Sequence, residues 1–377
     1  MTRVLIIAAH FVMLHPIRTE LIQELVNQGY DVYLSIPFSE KNQFFVEMGC
    51  KIVNSPIDRR GMNPLKDIKL IRHYKEIIKQ VNPDCVLTYS IKPNAYTGLV
   101  LNFLKRPDDS KYKQICNITG TGSMFLKKNA MSEFCKLLYK VSVKNSYLMF
   151  FQNRYDKAFF LENHLIAKRW ELIPGSGVNL SIHTFSPMPN DDIVSFIFVA
   201  RLIKFKGVNE FLIAAERIKR EYSNTRFYVA GMYENDYYKE FVENYHNQGK
   251  IVYLGFVDDI YNWIEKCHCT VLPSYGGEGV PNVLMESAAK GRVCIGSDIP
   301  GTNDVIEDGV NGFLCKPQDV DDLVDKMTKF IELPYQKKAQ MGKAGRAKVE
   351  KEFDRQIVVN KYMEEIEKEV KNVHGSL

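Results

Sequence analysis

Short apolar runs that alternate with stretches of helical period limit this chain's fold more than any other feature. Strands are expected at 3–9, 31–36, 84–89, 114–118 and 147–151, with helices near 17–28, 64–80, 94–105, 130–145 and 154–163. Apolar runs joined through helices make parallel sheets covered on both faces. At 174–192 the texture changes to PGSGVNLSIHTFSPMPNDD, which has no apolar period and reads as a linker. The alternation then restarts with SFIFVA, RFYVA, KIVYL, CTVLP, RVCIG and GFLC. A chain of 377 residues also exceeds what one core usually serves. The expectation is α/β, with two Rossmann-like doubly wound domains facing a central cleft, at 1–185 and 186–353. A last helix within 354–377 carries Ile357, Val358, Tyr362, Ile366 and Val370 on one side and packs on a domain surface, a return to the first domain being one option. In such sheets ligands bind beyond the carboxyl ends of the strands.

Composition excludes several classes. With 45% hydrophobic and 25% charged residues the chain is an ordinary folded protein, and a net charge of +5 is too small to argue for nucleic acid. The 8 cysteines form no CxxC pair and read as core residues of a reducing compartment. Cys267-His268-Cys269 lacks a second ligand pair, so no metal is expected there. The opening MTRVLIIAAHFVMLHPI has no small-residue cleavage site and reads as a buried strand entering a loop. No segment reaches transmembrane length, so any membrane association is expected to be peripheral.

Two stretches of the second half carry chemistry. CTVLPSYGGEGVPNVLMESAAKG is a strand, a glycine loop holding Glu278, and a helix with Pro281 near its first turn and Glu286 further along. A helix start attracts phosphate, and a carboxylate beside it can accept both hydroxyls of a ribose. Taken alone, two glutamates are more often solvated surface groups. VSFIFVARLIKFKGVNE adds Arg201 and Lys206 directly after another strand, with Gly207 opening the next helix. Cations at the same sheet edge neutralise a diphosphate without a divalent metal. The two stretches together therefore read as a nucleotide-diphosphate site.

These motifs, ARLIKFKG, LPSYGGEGVPNVLMESAAKG and SDIPGTNDVIEDGVNGFLCKP, closely resemble those of the family-4 retaining glycosyltransferases of the GT-B fold. KPNAYTG, TGTGSMF, FFQNRYD and IPGSGVN resemble the bacterial subgroup that builds capsular, O-antigen and lipid-linked glycans, including N-acetylgalactosaminyltransferases acting on undecaprenyl diphosphate sugars. The resemblance implies a UDP-sugar donor without metal or other cofactor. It implies that Arg201 and Lys206 hold the diphosphate, that Glu278 contacts the donor sugar and Glu286 the ribose. Gly279, Val280 and Pro281 would bring backbone close, and the uracil would lie against Phe256 and Val257.

Departures from the family pattern include the loop 275–277 (YGG), one residue longer than in several relatives, which bears on donor-sugar identity, and two in the first half. HFVMLHPIR replaces a Gly-Gly loop, which passes acceptor contacts to His15 and Arg18, with Gly120 and Gly122 of TGTG beside them. CNITGTGS stands where many relatives have a His, leaving its role to Asn117, Thr119 or backbone amides, or to nothing. His10 and His15 read as positioning groups rather than proton carriers. Residues 101–145 hold nine basic and three acidic residues, and Lys127, Lys128, Lys136 and Lys140 interleave with Phe125, Phe134, Leu137, Leu138 and Val141. That pattern fits an interfacial helix on an anionic membrane and equally a solvated helix packing its apolar face inward. The expected activity is transfer of GalNAc or a related hexose or N-acetylhexosamine to a polyprenyl-diphosphate-linked saccharide, at the inner face of the cytoplasmic membrane, in surface-glycan or N-glycan assembly. A UDP-sugar epimerase of the same architecture and a non-catalytic sugar-binding module are the alternatives. No nucleic-acid partner is expected.

Overall fold

The computed structural model describes residues 2–58, 63–121, 125, 129–190, 192–276 and 279–374, with side chains to 368. The chain divides into two units, Met1–Ser176 with Gln356–Leu377, and Gly177–Arg355.

The first unit is built on β1 (Arg3–Ala8), β2 (Asp31–Ile36), β3 (Lys51–Asn54), β4 (Cys85–Tyr89), β5 (Lys113–Ile118), β6 (Leu148–Phe151) and β7 (Trp170–Leu172). They form one parallel sheet in the order β3-β2-β1-β4-β5-β6-β7. The continuous apolar run of β1 serves two cores because successive side chains point to opposite faces. Val4, Ile6 and Ala8 pack with Leu21, Ile22 and Leu25 of the helix Thr19–Asn27. Leu5 and Ile7 pack with Leu70, Tyr74, Ile77 and Ile78 of the helix Pro64–Val81. β3 and β7 stand at the edges, largely exposed, and so carry no apolar run for a sequence reading to catch.

The last helix, Arg355–His374, sets Val358, Val359, Tyr362, Met363 and Ile366 into the β1 core of this unit. Glu365, nearly buried, takes the Arg169 guanidinium at 3.0 Å and the Tyr147 hydroxyl at 3.1 Å. Burial works to raise its carboxyl, but the Arg169 and Lys368 hydrogen bonds hold it below the usual range. Val370 lies outside the described side chains.

The second unit has β8 (Val194–Val199), β9 (Thr225–Ala230), β10 (Val252–Gly255), β11 (Cys269–Leu272), β12 (Val293–Ser297) and β13 (Gly312–Cys315) in the order β10-β9-β8-β11-β12-β13, again all parallel. Its core joins Phe196, Phe198, Phe211, Phe227 and Phe330 to Leu284, Met285 and Ala288.

The division falls after Ser176, ahead of the boundary at 185 that the linker texture suggests. Val178 and Met188 are buried in the second core. Between them, Arg346 donates to the His183 carbonyl at 2.6 Å, and the buried Arg292 donates to the Pro187 carbonyl at 2.8 Å. Burial lowers the Arg292 guanidinium to about 10, so the carbonyls around it are what make its charge tolerable. A segment without apolar period is thus held by arginines far along the chain. His268 is tied down in the same way, its Nδ1 against Ser195 Oγ at 2.9 Å and its Nε2 against the Asn190 carbonyl at 3.0 Å.

Candidate active site

The carboxyl ends of the second sheet's strands are joined loop to loop by glycines. After β8 the chain runs through Arg201 into a tight turn, Lys204–Lys206, and reaches Gly207 with φ +76°. A Cβ on Gly207 would lie 2.2 Å from the Pro273 carbonyl oxygen, so only glycine lets the loops after β8 and β11 meet. The Tyr275 amide donates to the Phe205 carbonyl at 3.0 Å, and the Phe205 ring lies against Gly276. On the other side Gly301, at φ +88°, abuts the Gly279 carbonyl, where a Cβ would come within 1.6 Å. Toward the other edge, the Gly231 amide after β9 donates to the Gly255 carbonyl at 2.8 Å, next to Phe256, which is 66% exposed.

The helix Asn282–Ala289 starts in this cluster. Pro281 is its N-cap, no side chain caps it, and Val280 is buried beneath. Its positive dipole end therefore opens among glycine-lined backbone, on the same carboxyl edge as the exposed Arg201 and half-buried Lys206. Such an end with two cations fits the two phosphates of a nucleoside diphosphate.

Glu286 is partly exposed on this helix. Burial pushes its carboxyl up to about 7, and the positive charge of Arg355 opposes that rise. Ser274 and Thr302, both at 0% exposure, have hydroxyls without a hydrogen-bond partner among the described residues. Sequence reading assigned neither a role. The signal was there in PS of the strand-to-glycine loop and GT of SDIPGTND, two hydroxyls beside the glycine contacts.

Arg201, Lys206, Gly279, Val280, Pro281, Glu286, Phe256 and Val257 thus lie along one carboxyl edge, with Glu286 set back within its helix. Glu278, with Gly277, lies outside the described residues. Among the described residues no group of three or more His, Cys, Asp or Glu is placed to hold a metal.

The residues expected at the acceptor side are all in the first unit. Gly120, at φ +136°, follows β5, and Gly122 lies outside the described residues. His15 packs its ring on Phe44 at 4.3 Å and hydrogen-bonds Thr19 Oγ1 at 3.1 Å. Burial lowers its imidazole below the usual histidine range, which favours the neutral ring. Arg18 is a correction. It is 3% exposed with its guanidinium 5.4 Å from the Tyr89 ring centroid, so it fills the interior and is not presented to an acceptor. Asn117 is likewise 1% exposed and donates to the Tyr362 hydroxyl, so it cannot take over the contact of the histidine other chains carry there. His10, exposed, caps its own turn by accepting from the Val12 amide at 3.2 Å.

A family model described as "Glycosyl transferase 4-like" matches residues 3–153, and one described as "Glycosyl transferases group 1" matches residues 183–348. The chain is 24% identical, over 94% of its length and 96% of the relative's, to the N,N'-diacetylbacillosaminyl-diphospho-undecaprenol alpha-1,3-N-acetylgalactosaminyltransferase of Campylobacter jejuni. It is also 24% identical, over 82% of each chain, to the UDP-Gal:alpha-D-GlcNAc-diphosphoundecaprenol alpha-1,3-galactosyltransferase of Escherichia coli. Among solved structures, Anabaena HepE in complex with UDP and glucose superposes with a TM-score of 0.74 at 16% identity, covering 97% of this chain and 99% of that one. Two doubly wound parallel sheets, the glycine-joined edge of the second, and family models over both halves agree: this chain belongs to the family-4 glycosyltransferases of the GT-B fold.

Proposed function

We propose that the protein transfers a sugar, with retention at the anomeric carbon and without a metal, from a UDP-sugar to a polyprenyl-diphosphate-linked saccharide in bacterial surface-glycan or N-glycan assembly. One observation carries this reading: the Arg201–Lys206 loop is bonded to the glycine loop that opens the Glu286 helix. The two relatives above, named for undecaprenyl-diphosphate acceptors, support the acceptor class, and the name of one supports a UDP donor. GalNAc is the preferred donor sugar, with a related hexose or N-acetylhexosamine next.

In this reading the diphosphate lies over the helix start, neutralised by Arg201 and Lys206. Glu286 accepts the ribose hydroxyls, Phe256 and Val257 flank the base, and Glu278 meets the donor sugar. The bond from the anomeric carbon to the diphosphate oxygen breaks while the acceptor hydroxyl attacks from the same face. Its proton passes to the departing phosphate, so the protein supplies position and charge stabilisation rather than a nucleophile.

Membrane attachment at the inner face is assigned to the helix Ala130–Val143. Met131, Phe134, Leu137 and Val141 are 52%, 61%, 60% and 42% exposed along it, with Lys140 and Lys144 exposed beside them. An apolar stripe edged by lysines suits an anionic lipid surface. Lys127 and Lys128 lie outside the described residues. Among the described residues no helix is long and apolar enough to cross a membrane.

The test is a panel of labelled UDP-sugars with a lipid-linked acceptor, run beside UDP calorimetry on Glu286→Gln and Glu278→Gln. Label should reach the lipid, Glu286→Gln should weaken UDP by roughly 1.5–3 kcal/mol, and Glu278→Gln should slow turnover while leaving UDP affinity nearly intact. No label in lipid, together with unchanged UDP affinity in both variants, would overturn the reading.

A further inference from the structure

At the carboxyl edge of the first sheet, the end where sheets of this kind take ligands, two separate sequence motifs meet. TGTGSMF follows β5, and FFQNRYD runs from β6 into the helix Arg154–Glu162. The Thr121 hydroxyl donates to Asp156 Oδ1, and Asn153, the helix N-cap, donates through Nδ2 to Asp156 Oδ2 at 2.8 Å. The Asp156 amide in turn donates to Asn153 Oδ1 at 2.7 Å. One helical turn further on, Phe160 packs against Phe125, with ring centroids 5.9 Å apart. Residues four apart share a helix face, so one face of one helix fastens the segment after β5 at both Thr121 and Phe125.

Ring packing alone would hold this segment down, and burying a carboxyl group costs stability. Asp156, Asn153 and Thr121 are nevertheless all buried. What the carboxyl group adds is direction, because a hydrogen bond orients Thr121 where a ring contact only fills space. With Thr121 turned inward, Thr119 is exposed and Gly120, at φ +136°, is half-buried. An exposed hydroxyl next to backbone that no Cβ covers suits the hydroxyls of a sugar, which need close donors and acceptors set in fixed directions.

We infer that Asp156 is a positioning residue for the acceptor: by clasping the Thr121 hydroxyl it fixes the turn at Gly120, so that Thr119 and the Gly120 backbone meet hydroxyls of the acceptor saccharide. This rests on the transferase reading above and on the acceptor role expected for Gly120. Asp156 is itself buried and acts through Thr121, so its loss should appear in acceptor KM rather than in UDP binding.

The experiment is steady-state transfer from labelled UDP-GalNAc to undecaprenyl diphosphate carrying N-acetylglucosamine or diacetylbacillosamine, with UDP calorimetry beside it. Thr121→Val, equal in size but without the hydroxyl, should raise acceptor KM about tenfold, while kcat stays within about twofold and UDP affinity is unchanged. Thr121→Ser, which keeps the hydroxyl, should retain the wild-type acceptor KM. Asp156→Asn should raise it at least as far as Thr121→Val, and should add less in the Thr121→Val background than it does alone. An unmoved acceptor KM in folded Thr121→Val overturns the inference. So does a loss of UDP affinity matching the rise in acceptor KM, or a Thr121→Ser protein as impaired as Thr121→Val. Gly120→Ala, strained at this φ, should raise acceptor KM as well, and an unchanged value there would remove the acceptor role of the turn and the inference with it. No transfer by the wild-type protein, to these lipids or to lipid extract, would instead overturn the transferase reading.

Discussion

The two sheets share a parallel topology yet finish their carboxyl edges in opposite ways. In the second unit the edge is backbone against backbone, with Gly207 on Pro273, Gly231 on Ala200 and Gly301 on Gly279. In the first it is plugged by side chains, where Arg18, Tyr89 and Asn117 close on Tyr362 of the last helix. Backbone contacts leave amides and a helix start pointing outward, as an anionic ligand requires. Side-chain contacts use up donors and acceptors on one another and stabilise the domain. The same architecture thus yields an edge of backbone contacts where glycine replaces side chains, and, among the described residues, one filled by side chains where a returning helix supplies a partner.

The largest effect that sharpens this contrast is on turnover. Replacing Arg201 and Lys206 together by Ala should lower kcat about 100- to 1,000-fold or more, the range for removing a preorganised charge contact, with melting temperature nearly unchanged. A variant that melts early instead would make the cations structural. Next, Gly301→Ala forces a Cβ into the Gly279 carbonyl at positive φ, and should cost roughly 2–4 kcal/mol in denaturant unfolding along with most UDP affinity. Retained affinity would show that the loops need not meet.

Glu286 gives a stability readout that depends on pH. Its folded carboxyl, raised to about 7, contributes fully below the usual carboxylate range and loses that contribution as pH rises through 7. Glu286→Gln should therefore be the more stable protein at pH 8, by roughly 1–3 kcal/mol, and the difference should vanish near pH 4.5, measured by urea unfolding. An equal difference at both pH values would remove the burial argument. In the first unit, Tyr362→Phe leaves Asn117 short of an acceptor and should cost about 1–2 kcal/mol of stability with UDP affinity untouched. Weakened UDP binding would break the division between a sealing and a binding edge. The smallest expected effect is none: saturating EDTA should leave the transfer rate unchanged, and a loss restored only by Mg²⁺ or Mn²⁺ would show that the cations do not suffice.

Much of this was legible in the sequence because it depends on local pattern. The buried strands announce themselves as apolar runs, whereas β3 and β7, exposed at the edges, do not. Arg201, Lys206 and Glu286 could be picked out because strand, glycine and helix follow one another directly. Arg18 misled for the complementary reason. A cation in a loop after β1 reads as available, but the rings that enclose it come from Tyr89 and Tyr362, far along the chain.

Sequence alone determined two doubly wound sheets, the cations and the Glu286 helix at one edge, and the apolar face of the last helix, since spacing along the chain fixes which side chains share a face. Tertiary structure decided the rest. It moved the linker into the second unit through Arg292 and Arg346, turned Arg18 inward, and set the Arg355 guanidinium on the Gly177 carbonyl. Those outcomes follow from buried charges, which find their partners by proximity in space, and residues so far apart in sequence leave no periodic trace of having met.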